Sequence, residues 1–227
     1  MKVALITGAS RGFGAALADA LNADGWVLVV DARNGDALAT SAARWDNATA
    51  VAGDVSDTAH RDDLARTVHR LGRLDLLVNN ASLLGPSPQP TLDHYPIGDL
   101  RRVYDVNVLA PLALTQLVLP ELKAAGGIVV NVTSDAGLET YEGWGGYGSS
   151  KAALDQLTAT LGAENPSIAA YAFDPGDMRT QMHQEAFPGE DISDRPDPHT
   201  IVPALLRLLE AKPKSGRYRA ADFVVAA

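Results

Sequence analysis

The stretch Val3-Ala4-Leu5-Ile6-Thr7-Gly8-Ala9-Ser10-Arg11-Gly12-Phe13-Gly14 decides the fold of this 227-residue chain. Its first four residues are apolar and predict a short strand buried on both faces. A helical pattern then runs from Ala15 to about Ala23. Glycines between a strand and a helix let backbone N–H groups approach a pyrophosphate, and the helix dipole favours negative charge. The first glycine gap is wider than in G-x-G-x-x-G, so a turn that only packs the helix on the strand stays an alternative.

Strand and helix patterns alternate through the rest of the chain. This alternation predicts right-handed crossovers and a parallel sheet of about seven strands with helices on both faces. We therefore expect one doubly wound α/β domain of the Rossmann type over residues 1–227. The further predicted strands are Trp26–Val30, Thr49–Val51, Leu74–Val78, Ile128–Ser134, Ile168–Phe173 and Phe223–Val225. The further predicted helices are Asp36–Arg44, one through Leu64 and Val68, Gly98–Ala124, one that carries Tyr147, and Ile201–Leu209.

The unusual polar residues and glycines follow the predicted strands, at their carboxyl ends. Ligands of a doubly wound sheet bind beyond this edge, where the strand order reverses. The sequence therefore predicts the functional site there. The residues concerned are Gly8–Gly14, Asp31–Arg33, Asp54, Asn79–Ser82, Ser134 and Pro175–Gly176.

Tyr147 and Lys151 are a candidate acid–base pair. They stand four apart, so a helix places them on one face, one turn apart. An ammonium beside a phenol stabilises the phenolate and lowers its pKa from about 10, which suits a general acid or base. Tyr-x-x-x-Lys alone is weak evidence, and its weight comes from Ser134 at a strand end and from Asn107. On residue chemistry alone, Asn107 is better explained as a buried amide that satisfies backbone groups freed by Pro111.

The composition restricts the possible partners. The formal charge of −9 and the pI near 4.9 argue against nucleic acid, whose phosphates need a basic face. The chain has no cysteine, and its five histidines show no metal spacing, so we expect surface histidines and no metal. Met1-Lys2 leads into a strand without a signal-peptide pattern, and no apolar run approaches membrane-spanning length. We expect a cytoplasmic protein that binds no membrane.

Taken together, these motifs resemble those of the short-chain dehydrogenase/reductase family, in its single-domain branch with an Asn-Ser-Tyr-Lys active site. The glycine turn resembles T-G-x-x-x-G-x-G, and Asp54-Val55 resembles the D-V pair on the adenine side. Asn79-Asn80-Ala81 resembles N-N-A-G, except that Ser82 replaces the glycine. Pro175-Gly176 with Thr180 resembles P-G-x-x-x-T. The four catalytic positions are filled in order by Asn107, Ser134, Tyr147 and Lys151.

The resemblance implies an NAD(P)-dependent oxidoreductase that interconverts a small-molecule carbonyl and an alcohol by hydride transfer. Tyr147 would exchange a proton with the substrate oxygen, and Ser134 would orient the carbonyl. Lys151 would lower the Tyr147 pKa and bind the nicotinamide ribose, and Asn107 would hold a water that links Lys151 to solvent. The implied cofactor contacts are Gly8, Ser10, Arg11, Gly12, Phe13, Gly14, Arg33, Asp54, Val55, Asn80, Ala81, Tyr147, Lys151, Pro175, Gly176, Met178 and Thr180.

The end of the second strand favours NADP, with NAD as the alternative cofactor. A carboxylate there accepts both ribose hydroxyls of NAD and repels the 2′-phosphate of NADP. Counted from the glycine turn, the family's NAD-type aspartate falls on Ala32, and alternation along the strand would turn Asp31 away. Arg33 stands where NADP-dependent relatives carry a phosphate-binding arginine, and Arg11 could meet the same phosphate. A surface ion pair of Arg33 with Asp31 or Asp54 is the competing interpretation.

The remaining expectations concern the substrate end and assembly. Residues Gln181–His199 are acidic and proline-rich without clear periodicity, and we expect them to form a mobile lid. The Tyr147 helix is apolar on more than one face, and the family pairs subunits through it, so the resemblance implies a homodimer or homotetramer. The expected substrate pocket is lined by Leu83, Asp135, Leu138, Tyr141, Trp144, Met178, Met182 and Phe187.

Two other function classes share parts of this pattern. A catalytically silent, dinucleotide-sensing regulatory protein would keep the fold, but it has no need of Tyr147. A methyltransferase that uses S-adenosylmethionine also carries a glycine turn after its first strand, but that class does not explain Tyr147 and Lys151. Thermal shifts with each cofactor would separate the last class from an oxidoreductase.

Overall fold

A computed structural model describes residues 1–223. The described strands form one sheet of seven parallel strands in the order β3-β2-β1-β4-β5-β6-β7. The chain moves outward from β1 to β3 and then returns to place β4 on the other side of β1, so the strand order reverses there. The strands are β1 Val3–Ile6, β2 Val27–Ala32, β3 Ala48–Ala52, β4 Leu76–Asn79, β5 Ile128–Val132, β6 Ala169–Asp174 and β7 Gly216–Arg219.

Helices cover both faces of this sheet because successive strand residues point to opposite sides. On β1, Ala4 and Ile6 pack into the core beneath α1 (Gly12–Ala23) and α8 (Pro198–Ala211). Val3 and Leu5 pack into the core on the other face, beneath α3 (Thr58–Leu71) and α5 (Ala110–Ala125). The doubly wound α/β architecture expected from the alternating pattern is therefore confirmed. The helices are α1 Gly12–Ala23, α2 Gly35–Ala42, α3 Thr58–Leu71, α4 Ile97–Tyr104, α5 Ala110–Ala125, α6 Gly145–Glu164, α7 Gln181–Ala186 and α8 Pro198–Ala211.

A π-helical turn, Asp105–Leu109, joins α4 and α5 into one continuous helix. Pro111 follows this turn, and a proline removes one N–H donor from the ordinary helical ladder. The combined helix, Ile97–Ala125, has 29 residues and contains an 18-residue window with a mean hydropathy of 1.3, so by length and composition alone it could cross a membrane. This differs from the expectation that no apolar run approaches that length. Much of the apolarity belongs to a core face, on which Leu114 and Val118 are buried against the sheet.

The last strand and the expected lid differ from the sequence-based prediction. β7 lies at Gly216–Arg219, whereas Phe223 belongs to a short 3₁₀ turn, Ala220–Phe223. Val224-Val225, the rest of the predicted strand, lie outside the described residues. The real strand lacks an apolar run because it is an edge strand that carries two arginines. Within the expected lid, residues Gln181–Ala186 form α7, and α8 already begins at Pro198.

Candidate active site

The glycine turn is packed so closely that its backbone forms the floor of a cleft. Gly8 has a φ of +68°, and a Cβ there would lie 2.9 Å from the Ala81 Cα. A Cβ on Gly14 would lie 2.6 Å from the Gly8 carbonyl oxygen. Arg11, the N-cap of α1, makes no capping bond with its side chain, so it leaves the first N–H groups of the helix without that partner. The turn therefore suits an anion such as a pyrophosphate.

Asn80 fastens the glycine turn to the end of β4. Its side-chain amide donates to the carbonyl oxygens of Thr7 and Gly8, at 2.9 and 3.1 Å. The backbone N–H groups of Asn80 and Ala81 both donate to the Thr7 hydroxyl at 3.0 Å. The N-N-A segment thus fixes the turn on which a dinucleotide would lie, and Ala81 presents its surface to the cleft.

Asp31 points inward from the end of β2. One carboxylate oxygen accepts the Gly8 N–H at 2.7 Å, and the other lies 3.0 Å from Nε2 of His60 on α3. Asp31 and His60 are 1% and 6% exposed, so the expectation that the histidines lie on the surface is wrong for His60. Burial raises the pKa of Asp31, although the bonds from His60 and Gly8 oppose that effect. The carboxylate is therefore engaged beneath the turn.

Arg33, the residue after β2, is exposed and lines the mouth of the cleft. It forms no ion pair with any residue in the described range 1–223, and the competing interpretation of a surface pair with Asp31 or Asp54 is not what the structure shows. Asp54 instead accepts the N–H and the hydroxyl of Ser56, at 2.9 and 2.7 Å. Burial acts to raise the Asp54 pKa, but these bonds and the charge of Arg33 lower it overall.

A single cleft of about 1060 Å³ runs along the carboxyl edge of the sheet from Arg33 to Trp144. Its volume is ample for a dinucleotide with a small substrate. Gly14 does not line it, and serves instead as the close contact between turn and helix. The other expected cofactor contacts line this cleft: Gly8, Ser10, Arg11, Gly12, Phe13, Arg33, Asp54, Val55, Asn80, Ala81, Tyr147, Lys151, Pro175, Gly176, Met178 and Thr180.

Tyr147 and Lys151 lie one turn apart in the first half of α6, as the spacing predicts. The Lys151 ammonium donates to the Val132 carbonyl at 2.8 Å and lies 5.3 Å from the centre of the Tyr147 ring. Burial lowers the pKa of Lys151 to about 8. Burial also raises the pKa of Tyr147 above its ordinary value, opposed by the nearby hydroxyls of Ser82 and Ser134. The surroundings of Tyr147 therefore raise its pKa, contrary to the expected lowering.

Ser134 lies just beyond β5, at the N-cap of a short 3₁₀ turn, Asp135–Gly137. Its hydroxyl donates to Oδ1 of Asp135 at 2.9 Å and accepts the Ala136 N–H at 3.2 Å. The other oxygen of Asp135 accepts the Tyr141 hydroxyl at 3.0 Å. Ser134 thus faces the cleft together with Tyr147, but its hydrogen is directed to a neighbouring carboxylate.

Asn107 is buried in the π-helical turn and joins three parts of the site. Its side-chain oxygen accepts the Leu83 N–H at 2.8 Å and the Ser82 hydroxyl at 3.1 Å. Its amide nitrogen donates to the Leu83 carbonyl and to the hydroxyl of Ser150, both at 2.9 Å. Ser150 is fully buried and donates to the Tyr147 carbonyl at 2.6 Å. The sequence pattern treats Ser150 as an ordinary helix residue, because nothing local shows that a distant amide reaches it.

Arg217 on β7 supports the site from behind, and the sequence pattern gives no signal of it. Its guanidinium donates to Asp155 on α6 at 3.1 Å and to Asp174 at the end of β6 at 2.9 Å. A third bond, also 3.1 Å, reaches the carbonyl oxygen of Ser134. Because Asp155 lies one turn after Lys151, this arginine ties the Ser134 segment to the helix that carries the candidate acid–base pair.

The substrate end of the cleft differs in part from the expected pocket. Leu83, Asp135, Trp144, Met178 and Met182 line it as expected. Leu138 and Tyr141 are instead exposed outside the lining. Phe187 also lies outside the lining and packs against Trp144 in a tilted arrangement, with the ring centres 5.8 Å apart. Trp144 in turn packs edge-on against Tyr147 at the same distance. Lining residues that the sequence analysis did not name include Leu84, Glu185 and Ala186.

The family model described as short chain dehydrogenase matches residues 2–191. This chain belongs to the short-chain dehydrogenase family. Its resemblance at the level of single motifs is thus confirmed over most of the sequence, and as a short-chain dehydrogenase the chain is an oxidoreductase.

Three similar proteins place this short-chain dehydrogenase among its relatives. Sepiapterin reductase from Meriones unguiculatus is 33% identical, over 81% of this chain and 77% of its own length. A benzil reductase that forms (S)-benzoin, from Saccharomyces cerevisiae, is 33% identical over 90% of this chain and 80% of its own. The crystal structure of an alcohol dehydrogenase from Thermococcus sibiricus, in complex with 5-hydroxy-NADP, has a TM-score of 0.87 and 30% identity, covering 96% of this chain and 95% of that one.

Proposed function

We propose that this chain is an NADP-dependent oxidoreductase that interconverts a small-molecule carbonyl and an alcohol. The observation that carries the proposal is the position of Tyr147 and Lys151 on one face of α6, beside Ser134, in the cleft whose far end is the glycine turn. A phenol, an ammonium and a hydroxyl around one point are the groups needed to exchange a proton with a substrate oxygen. The names of the relatives, which are reductases and an alcohol dehydrogenase, support the same reaction class.

The residues of the cleft fit a nicotinamide dinucleotide. The backbone of the glycine turn, where a Cβ on Gly8 or Gly14 would clash, would hold the pyrophosphate. Arg33 would hold the 2′-phosphate, while Lys151 would bind the nicotinamide ribose and Thr180 would lie near the carboxamide. The bound dinucleotide would supply or accept the hydride.

Tyr147 would serve as the general acid in the direction of reduction. Burial raises its pKa, so the phenol keeps its proton at neutral pH and can give it to the substrate oxygen. Ser134 would orient that oxygen by a hydrogen bond. The Asn107 side-chain oxygen already accepts two hydrogen bonds, so a water that resupplies protons through Lys151 would bind the main chain of the π-helical turn.

The proposed preference for NADP rests on the two residues at the end of β2. Asp31 is turned beneath the glycine turn and is engaged by Gly8 and His60, so it is poorly placed to accept the ribose hydroxyls of NAD. Arg33 is exposed at the mouth of the cleft without an ion pair in residues 1–223. A guanidinium binds a phosphate dianion by charge-assisted hydrogen bonds. The complex of the Thermococcus sibiricus enzyme with 5-hydroxy-NADP supports this choice.

The oligomeric state and the cellular location of the protein are also proposals. We infer a homodimer or homotetramer, because the helix Ile97–Ala125 leaves more than half of its apolar window unburied and Leu109 on it is 54% exposed. We infer a cytoplasmic location, since a chain without cysteine fits a reducing compartment.

The proposed function is tested by a panel of ketones and aldehydes with NADPH and with NADH, followed by absorbance of the reduced nicotinamide. Oxidation of the matching alcohols with both oxidised cofactors completes the panel. The expected result is turnover with NADPH that depends on Tyr147. Binding of a dinucleotide without turnover of any substrate would contradict the proposal and favour the silent, dinucleotide-sensing alternative.

A further inference from the structure

Asp135 is a carboxylate beside the reaction centre whose partners are neutral. Its two oxygens accept hydroxyl hydrogens only, from Ser134 at 2.9 Å and from Tyr141 at 3.0 Å. Within the described range 1–223 it takes part in no ion pair, and it lines the substrate end of the cleft together with Tyr147 and Trp144. A carboxylate in such a place is available to a cation that enters with the substrate.

Two other aspartates of the same cleft, Asp174 and Asp177, differ in this respect because each has an arginine within ion-pair distance. Asp174 is paired with Arg217 at 2.9 Å. Asp177 lies 3.7 Å from His183 and 3.8 Å from Arg195. Asp31 is paired with His60 at 3.0 Å. Arginines thus lie beside Asp174 and Asp177, whereas Asp135 takes part in no ion pair within residues 1–223, as is also true of Asp54 at the adenosine end and of Glu185. The charge of Asp135 is left to be balanced from the cleft.

The bond between Ser134 and Asp135 also has a chemical cost for the proposed reaction. Ser134 carries one hydroxyl hydrogen, and it is directed to Asp135, so it is not directed to a substrate carbonyl. The negative charge of Asp135 additionally acts to raise the pKa of Tyr147, after the larger effect of burial. A cationic group bound to Asp135 would weaken the Ser134 bond and oppose the electrostatic effect on Tyr147. The first change frees the Ser134 hydroxyl to bind the substrate oxygen, and the second favours alcohol oxidation, which needs the Tyr147 phenolate.

We propose that Asp135 is a specificity residue that binds an ammonium group of the substrate, so that amino alcohols and the matching amino ketones are the preferred substrate class. This inference rests on the proposed function. Hydrogen bonds of about 2.8 Å from Ser134 to the reacting oxygen and from Asp135 to the ammonium place the two substrate groups roughly 3–5 Å apart. The amino group therefore belongs one or two carbons from the reacting carbon.

The test compares 1-amino-2-propanol with 2-butanol, which differ by an ammonium in place of a methyl group. Each alcohol is titrated into the protein–NADPH complex at a pH of about 7.5, where an aliphatic amine is protonated. The reduced cofactor cannot oxidise an alcohol, so binding is measured without turnover. The wild type is expected to bind the amino alcohol at least about tenfold more tightly. Asp135→Asn should abolish most of this preference, measured as the ratio of the two affinities within the same variant.

The matched control is Glu139→Gln, which removes an equal charge from an exposed residue four positions further along the chain, outside the cleft lining. This variant should keep the preference for the amino alcohol. Equal affinities for the two alcohols in the wild type, no binding of the amino alcohol, or a preference that survives Asp135→Asn would each overturn the proposal. So would an Asp135→Asn variant that changes only NADPH affinity. A protein that binds NADPH but turns over no carbonyl fails the proposed function alone, because the binding comparison still gives its answer.

Discussion

The carboxylate of Asp31 and the imidazole of His60 form a pair beneath the glycine turn, 3.0 Å apart and shielded from solvent. The pair matters for cofactor choice because the Asp31 carboxylate, at the end of β2, is engaged by His60 and is poorly placed to accept ribose hydroxyls. The adenosine end of the cleft is thereby left with Arg33 as its exposed charged group at the end of that strand.

Arg33→Ala is therefore expected to lower kcat/KM for NADP by about tenfold or more, since a charge-assisted bond to phosphate contributes roughly 1.5–3 kcal/mol. The value for NAD should change little. Steady-state kinetics with both cofactors measure this. Arg102→Ala, an exposed arginine on α4 away from the cleft, serves as the control. A wild type that prefers NAD, or a preference that the Arg33 substitution leaves unmoved, would show that the assignment of Arg33 is wrong.

Tyr147→Phe is expected to lower turnover by about 10²–10⁴-fold, the usual contribution of a general acid or base. Cofactor affinity should stay almost unchanged because the ring and its packing on Trp144 remain. Steady-state assays measure turnover, and a fluorescence titration with NADPH measures cofactor affinity. Ser149→Ala removes another hydroxyl, exposed on the same helix, and should have no effect. Turnover within tenfold of the wild type would show that a different group is the acid.

Ser82 replaces the glycine of the family motif, and its hydroxyl donates to Asn107 at 3.1 Å. The same hydrogen can turn to the Tyr147 phenolate once that forms, and this hydrogen bond lowers the Tyr147 pKa. Ser82→Ala should therefore raise the Tyr147 pKa. Alcohol oxidation needs the phenolate, so the rising limb of its pH–rate profile should move to higher pH by about one unit, equal to roughly 1.4 kcal/mol. Profiles of kcat/KM for wild type and variant measure the shift. An unmoved limb would mean that Ser82 only fills space beside Asn107.

The lowered pKa of Lys151 should make the free energy of unfolding depend on pH. Its pKa is about 8 in the folded chain against 10.5 for an ordinary lysine. Between these values the unfolded chain binds more protons, so this residue makes the free energy of unfolding rise with pH, by at most about 1.4 kcal/mol per pH unit. In urea titrations, the stability of the wild type relative to Lys151→Met should therefore increase from pH 8 to pH 9.5. A constant difference would refute the lowered pKa.

The segment Gln181–His199 is expected to become protected from proteases when a dinucleotide binds. Its start already contacts the glycine turn, since Arg11 donates to Gln181 and Thr180 lies near Gly12. A cofactor between these groups would add contacts to both sides. Limited proteolysis with and without saturating NADPH, with cleavage sites identified by mass spectrometry, tests this. The lid hypothesis fails if the rate of cleavage in this segment is the same in both conditions.

The sequence predicted the elements whose signal is local. Continuous apolar runs located β1, β2 and β4, and the i, i+4 spacing placed Tyr147 and Lys151 on one helix face. It misplaced β7, because an edge strand that turns Arg217 toward carboxylates lacks an apolar run. It also missed the pairing of His60 with Asp31 and of Ser150 with Asn107. These contacts join residues from separate elements, and only the three-dimensional structure brings such partners together.

Arg217 has a consequence for how the site is made during protein synthesis. The arginine follows Asp155 by 62 residues and Ser134 by 83, yet it contacts both. On the ribosome, the glycine turn and α6 emerge well before the strand that supplies this guanidinium. Until then Asp155 and Asp174 lack the guanidinium that pairs with both, and carboxylates without such a partner are costly to bury. The nascent chain can therefore form its cofactor end early, while the Ser134 and Lys151 end is completed only after β7 has been translated.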